Sequence, residues 1–125
     1  MMSETNNKIW ELNIYQSLKD ISDIENQKLL WLGKHPTEIS SFTETLGMLY
    51  DNFEFENYLD FYKSHHGVNS LFDSMQELDR MISNYQITGY ALEMEKGGAE
   101  KILNDPKWIK ISKKASDIIK HWDLR

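Results

Sequence analysis

The chain has no cysteine among its 125 residues and only two prolines. Without cysteine it forms no disulfide, has no thiol nucleophile and offers no thiolate to a metal. No apolar run approaches the roughly 20 residues that a membrane-spanning helix needs. The opening stretch, MMSETNNKIWELN, also lacks the basic and then apolar pattern of a signal peptide. We therefore expect a cytoplasmic protein with no membrane segment.

Lysine and arginine are absent from residues 35–62, although this span carries Glu38, Glu44, Asp51, Glu54, Glu56 and Asp60. The bias reverses over residues 105–125, where six basic residues stand against three acidic ones. The net charge of −6 argues against nucleic acid as the main partner, because a phosphate backbone attracts clustered basic side chains. An acidic surface suits a basic protein partner, but modest negative charge also serves solubility alone.

Apolar residues recur at intervals of three and four along most of the chain, which is typical of amphipathic helices. They predict an all-α fold, a single irregular bundle of five or six helices over residues 1–125, with a loose tail at residues 1–7. The stretch 86–98 fits a loop, a hairpin fragment or a short helix, and 99–103 fits one helical turn. The predicted helices cover residues 8–20 and 23–32, which fit either two helices or one bent helix, and residues 36–50, 52–63, 68–85 and the chain from 106 onward. Pro36 and Pro106 lie in first turns. The predicted caps are Asp51 or Asn52 for the helix at 52–63, Asn69 or Ser70 for the helix at 68–85, and Asp105 for the last.

Residues 49–62, LYDNFEFENYLDFY, combine six aromatic with four acidic residues. On a helical wheel Phe55, Tyr58, Leu59 and Tyr62 fall within an arc of about 100°, which predicts that they face the core. The remaining aromatic residues of the predicted helix, Phe53 and Phe61, fall on the opposite side among the carboxylates.

Phe53 and Phe61 have three possible explanations. Another element of the same domain covers them, or they form an exposed aromatic patch with an acidic rim, or FEFE is a short strand. The exposed patch predicts a binding site for a cationic protein surface. On that hypothesis the partner-binding residues are Asp51, Phe53, Glu54, Glu56, Asn57, Asp60 and Phe61.

The sequence predicts no catalytic residues, no metal ligands and no cofactor. The adjacent His65 and His66 lack the spacing of three or four at which helical residues share a metal, and they fit the C-terminal turn of a helix. Glu54 and Asp60 are conceivable as a general acid and base, but nothing in the pattern desolvates one of them more than the other. The lysines after residue 105 lack arginine and aromatic neighbours on their face, so they fit a solvated surface better than a nucleic-acid site.

Three stretches resemble the small acidic immunity proteins of bacterial toxin–immunity systems, those of contact-dependent growth inhibition above all. They are SFTETLGMLYDNFEFENYLDFYKSHHG, NSLFDSMQELDRMI and DPKWIKISKKASDIIKHW, and the similarity covers the chain from about Ile39 onward. The resemblance implies a cytosolic, non-enzymatic protein that binds one cognate toxin domain, often a nuclease. It transfers no individual functional residue.

Three hypotheses follow for the function. The first is an immunity protein that neutralises a toxin domain, expected to be a basic nuclease, through the acidic and aromatic face. The second is a small helical enzyme or metal-binding protein that uses His65, His66 and nearby acids. The third is a regulatory adaptor that binds another cellular protein through the same face. The sequence does not indicate an oligomeric state.

Overall fold

The helices of this protein begin and end where apolar spacing and capping side chains place them. A computed structural model describes residues 4–87 and 89–123. Four helices begin with a side chain that accepts a backbone N–H: Asp23, Ser41, Asn69 and Asp105. The elements are α1 (Glu4–Ser22), α2 (Ile24–Trp31), α3 (Phe42–Gly47), a π-helical segment (Met48–Asn52), α4 (Phe55–His66), α5 (Ser70–Ile87), α6 (Tyr90–Lys96), α7 (Ala99–Leu103) and α8 (Pro106–His121).

The all-α prediction is confirmed, since the described residues contain eight α-helices and no strand. The expected number of five or six helices is wrong, because the uncertain stretch 86–98 contributes α6 and residues 99–103 form the separate helix α7. Residues 4–7, predicted as part of a loose tail, form the first turn of α1, whereas residues 1–3 lie outside the described chain. None of the helices in the described ranges is long and apolar enough to cross a membrane.

The prediction that a helix begins at Pro36 is wrong. Residues 34–41 are not helical, and the ring Nδ1 of His35 accepts the backbone N–H groups of Thr37 and Glu38 at 3.2 and 3.0 Å. This local hydrogen bonding replaces the first turn of a helix. The helix starts later, where the Ser41 hydroxyl accepts the Glu44 N–H at 3.0 Å.

The start of the fourth predicted helix is also corrected. Neither Asp51 nor Asn52 caps it, because both belong to the π-helical segment that continues α3. α4 begins at Phe55, after Glu54 in the left-handed backbone region at φ 52° and ψ 58°. Phe53 therefore precedes α4 and does not share its helical wheel. The four predicted core residues of α4 are all buried: Phe55, Tyr58, Leu59 and Tyr62.

The core is centred on Trp108 of α8, which is fully buried. α8 packs most extensively against α1 and next against α5. The Trp108 ring makes an edge contact with Phe42 at 5.2 Å, and its N–H donates to the Gln27 side chain at 2.9 Å. Gln27 in turn donates to the backbone of residues 20 and 21. Trp122, one residue after α8, is buried as well.

Candidate partner-binding surface

The π-helical segment is the centre of the candidate surface. α3 runs into it without a break, and the Phe53 N–H donates to the Met48 carbonyl at 2.9 Å, five residues back. A π turn adds one residue to a helix and is found frequently at functional sites. Here the wider turn places Asp51 and Asn52 at the surface.

The connection from the π-helical segment to α4 is fixed by Trp10 of α1. The Trp10 indole N–H donates to the Phe53 carbonyl at 2.6 Å. The next residue, Glu54, is the one non-glycine residue with positive φ in the described chain. A left-handed glutamate costs about 1 kcal/mol or more, so surrounding contacts hold the backbone in this shape.

The first groove beside the π-helical segment is acidic. It has a volume of about 520 Å³ and lies between the end of α2 and the start of α3. Neither lysine nor arginine is among its lining residues, and none of its carboxylates forms an ion pair within the described chain. The carboxylates that line it are Asp20, Glu38, Glu44 and Asp51.

The Asp20 carboxylate is partly withdrawn from water although the residue lies at the surface. Burial raises its pKa above the ordinary value, the nearby charge of Asp23 adds to the rise, and a hydrogen bond from the Gln16 amide at 3.1 Å opposes it. A raised pKa means that the anion is less stable here than in water. A cation placed in the groove would therefore lower the pKa of Asp20.

A second groove of about 370 Å³ lies on the other side of the π-helical segment, and its lining includes Tyr50, Asp51 and Glu56. The Tyr50 hydroxyl donates to Asp79 at 2.7 Å. Burial raises the Tyr50 pKa far above its usual range, and the bond to Asp79 and the charge of Glu56 raise it further. This phenol therefore stays neutral beside the two exposed carboxylates.

A third groove of about 380 Å³ opens between α1 and the chain before α4. Ile9, Trp10 and Phe53 give it an apolar wall, and Glu54 lies on its border. Ile9 is 52% exposed, which is a large value for an isoleucine. Asn52 lines both this groove and the acidic one, so the two grooves adjoin at the π-helical segment.

The two off-core phenylalanines are half-buried. Phe61 lies 5.3 Å from the Trp10 ring and 4.1 Å from the His65 ring, centroid to centroid. Phe53 packs against the edge of the core and lines the third groove. α1 therefore covers part of the Phe61 ring through Trp10, as the first explanation expected, and neither phenylalanine stands free as a fully exposed patch.

The structure divides the predicted partner-binding residues among three places. Asp51 and Glu56 line the second groove, and Phe53 and Glu54 line the third. The other three, Asn57, Asp60 and Phe61, lie on α4 outside these grooves. All the polar members are exposed, and the four acidic ones form no ion pair with described residues.

The sequence interpretation missed the residues that reach this surface from elsewhere in the chain. Asp20 comes from the last turn of α1, and Ile9 and Trp10 come from the N-terminal half of the same helix. Glu38 and Glu44 belong to residues 35–62, the span without basic residues. The absence of lysine and arginine from this whole span was the sequence signal that could have identified them. No local signal marks Asp20, because only the folded chain brings α1 beside α3.

His65 and His66 lie in the last turn of α4, where cationic side chains suit the helix dipole. The Nδ1 atom of His65 lies 2.9 Å from the Phe61 carbonyl, and the His66 ring lies 4.6 Å from the Tyr62 ring. Among the described residues no three His, Asp or Glu side chains come together as a metal site would require.

Comparison of the chain with protein-family models, with curated proteins and with solved structures finds no match in any of the three. The assignment of the candidate surface therefore rests on its geometry and charge.

Proposed function

We propose that this protein is a non-enzymatic inhibitor that binds a basic protein domain through the acidic surface around the π-helical segment. The observation that carries the proposal is the groove of about 520 Å³ bordered by Asp20, Glu38, Glu44 and Asp51, with no basic residue among its lining. Carboxylates that form no ion pair with the described residues leave their charge available to another molecule.

The surface offers the second ingredient of a protein interface as well. The adjoining third groove presents Ile9, Trp10 and Phe53 beside Glu54. Apolar and aromatic residues supply most of the affinity in protein interfaces, whereas charges set the rate of encounter and the choice of partner. A partner that combines exposed lysine or arginine with an apolar side chain fits this pair of grooves.

The resemblance to immunity proteins gives the partner a class. A nuclease that binds a polyanion presents a basic cleft, and an acidic inhibitor can occupy that cleft as the phosphates would. We infer that the protein acts in the cytoplasm by covering such a toxin domain. An adaptor for another cellular protein would use the same surface, and the activity of the partner separates the two functions.

The test is recovery of the partner by the tagged protein, followed by an assay of the recovered domain. Three double variants change the net charge equally: Glu44→Lys with Asp51→Lys in the acidic groove, Glu56→Lys with Asp60→Lys on α4, and Asp73→Lys with Glu100→Lys as a control. Each of these six carboxylates is exposed. The control pair lies on α5 and α7, away from the grooves.

We expect the groove variant to bind the recovered domain at least about tenfold more weakly and the control to bind as the parent does, because like charges across an interface repel strongly. Affinity should also fall as ionic strength rises. Inhibition of a nuclease activity by the parent protein identifies the partner as a toxin. Equal binding by the groove variant, the α4 variant and the control would refute the acidic surface as the binding site.

A further inference from the structure

A fourth groove lies on another part of the molecule, where α5, α6 and α8 meet. Its volume is about 310 Å³, at the lower end of the range typical of small-molecule sites. Buried Tyr85 and Ile111 and partly buried Met81 and Tyr90 line it, and the exposed residues at its border are Asn84, Lys107 and Lys110. The groove therefore combines an apolar wall with a few polar groups, which is the usual composition of a ligand site.

The aromatic wall of this groove is held in place by its neighbours. The Tyr85 hydroxyl donates to Asp105 at 2.7 Å, and the Tyr85 and Tyr90 rings meet edge to face at 5.4 Å. Asp105 also accepts the backbone N–H of Lys107 at 3.1 Å. The buried carboxylate is thus occupied by hydrogen bonds within the protein.

Two ammonium groups stand at the border of the groove. The Lys107 Nζ lies 4.2 Å from the centre of the Tyr90 ring, and neither Lys107 nor Lys110 forms an ion pair with a described residue. By contrast, Lys114, one helical turn after Lys110, is bonded to Glu77 at 2.9 Å. The border lysines are therefore available to an external anion.

The surrounding sequence contains little that would oppose an anion. Residues 80–92 and 106–116 hold no Asp or Glu, and the adjacent Asp105 is buried, with its carboxylate bonded to the Tyr85 hydroxyl and the Lys107 N–H. The acids of α6 are engaged elsewhere, since Glu93 pairs with Lys96 at 3.1 Å and Glu95 accepts the Thr43 hydroxyl at 3.0 Å. Charge complementarity therefore selects a negatively charged ligand, and the apolar wall selects one with a hydrophobic body.

We propose that this groove binds a small organic acid, with its carboxylate between Lys107 and Lys110 and its aromatic or aliphatic body against Met81, Tyr85 and Tyr90. The site goes beyond the proposed function, because it shares no lining residue with the three grooves around the π-helical segment and has the opposite charge. The ligand is a small molecule and the partner of the acidic surface is a protein, so each proposal can fail without the other.

The test compares phenylbutyrate with phenylbutanol, which have the same apolar body and differ in charge. Each is titrated into the isotopically labelled full chain, and the amide resonances of Met81, Asn84 and Ile111 are followed by NMR. The variants are Lys107→Gln with Lys110→Gln, and Lys113→Gln with Lys120→Gln as a control of equal charge change. All four lysines are exposed, so the substitutions leave the core untouched.

We expect phenylbutyrate to shift these three resonances in a saturable way and to bind about tenfold more weakly to the Lys107/Lys110 variant, with no change in the control. Phenylbutanol should bind at least about tenfold more weakly than phenylbutyrate to the parent. No saturable shift with the acid would overturn the proposal. Equal affinity for acid and alcohol, or equal weakening in both lysine variants, would overturn the assignment of the carboxylate to Lys107 and Lys110.

Discussion

Two aromatic clusters in this protein have similar ring spacings but different surroundings. The inner cluster, defined as Trp31, Phe42, Tyr85 and Trp108, is at most 8% exposed. The outer cluster, defined as Trp10, Tyr58, Phe61 and His65, is enclosed only at Tyr58.

Their polar atoms differ as well. In the inner cluster, Trp108 donates to buried Gln27 at 2.9 Å and Trp31 donates to half-buried Thr45 at 3.2 Å, so a side chain satisfies each indole N–H. In the outer cluster, Trp10 donates to the Phe53 backbone immediately before Glu54. The inner rings therefore stabilise the fold, whereas the outer rings also fix the shape of the acidic surface.

The largest effect is expected for Trp108→Ala in the inner cluster. The change removes a fully buried indole and leaves the Gln27 oxygen without its donor, so the free energy of unfolding should fall by about 3–5 kcal/mol. Urea denaturation measures it. The matched control is Ile109→Ala at the next position, which is 38% exposed and should cost much less. Equal losses at the two positions would show that the inner cluster is not the centre of stability.

High pH should weaken both clusters through their phenols. Burial raises the pKa of Tyr85 and Tyr58 above the ordinary value of 10.0, and the neighbouring carboxylates of Asp105 and Glu11 raise it further. The unfolded chain then loses these protons first. The contribution of each phenol to the free energy of unfolding is fully present below its pKa in the unfolded chain. It is lost as pH rises towards its pKa in the folded protein, by up to about 1.4 kcal/mol per pH unit for each phenol.

The measurement is the free energy of unfolding from neutral pH to about pH 11, with Tyr85→Phe and Tyr58→Phe as comparisons. Each variant should show a shallower alkaline loss than the parent. An unchanged slope in Tyr58→Phe with a reduced slope in Tyr85→Phe would sharpen the difference between the clusters, because it would mean that the outer phenol is more hydrated than the inner one.

A smaller effect is expected for Phe61→Ala in the outer cluster. The ring is half-buried, so its removal opens a space to solvent and should cost about 1–2 kcal/mol. Val68→Ala, at a position that is 62% exposed, is the control and should change stability by less than about 0.5 kcal/mol. A loss as large as that of Trp108→Ala would remove the distinction between the two clusters.

The smallest effect, and one of opposite sign, is expected for Glu54→Gly beside the outer cluster. Glycine adopts the φ of 52° without strain, so the variant should be more stable by about 0.5 kcal/mol. Glu56→Gly in the first turn of α4 is the control and should be destabilised by about 1 kcal/mol. If Glu54 serves the proposed partner, the more stable variant should bind that partner more weakly, as a trade-off of stability against function.

The elements that the sequence predicted well have both an apolar stripe and a capping side chain. α5 and α8 are the clearest cases, since Asp105 is the cap that the pattern indicated and Asn69 is one of the two that it offered for α5. The failures have local physical causes. Pro36 fits a first helical turn, but the ring of His35 accepts the backbone N–H groups that such a turn would present. The π turn at Met48–Asn52 was missed because no residue in its sequence marks a change from α-helical to π-helical spacing.

The candidate surface was predictable only in part, for a different reason. The acidic residues at 51, 54, 56 and 60 lie close together in sequence and are exposed as expected. The apolar wall at Ile9 and Trp10 and the carboxylate of Asp20 come from α1, more than thirty residues earlier in the chain. Such residues meet only through tertiary packing, which periodicity along one helix does not encode.

The bond between Gln27 and Trp108 spans 81 residues of chain, and α1 packs most extensively against α8. Both contacts have a high sequence separation, so much of the core closes late, although each helix by itself forms from local interactions. During synthesis on the ribosome, Gln27 and the inner face of α1 cannot make these contacts until α8 has emerged. The acidic surface depends on α1 through Trp10, so we expect binding competence to arise only in the fully synthesised chain and to be absent from nascent chains that stop before Trp108.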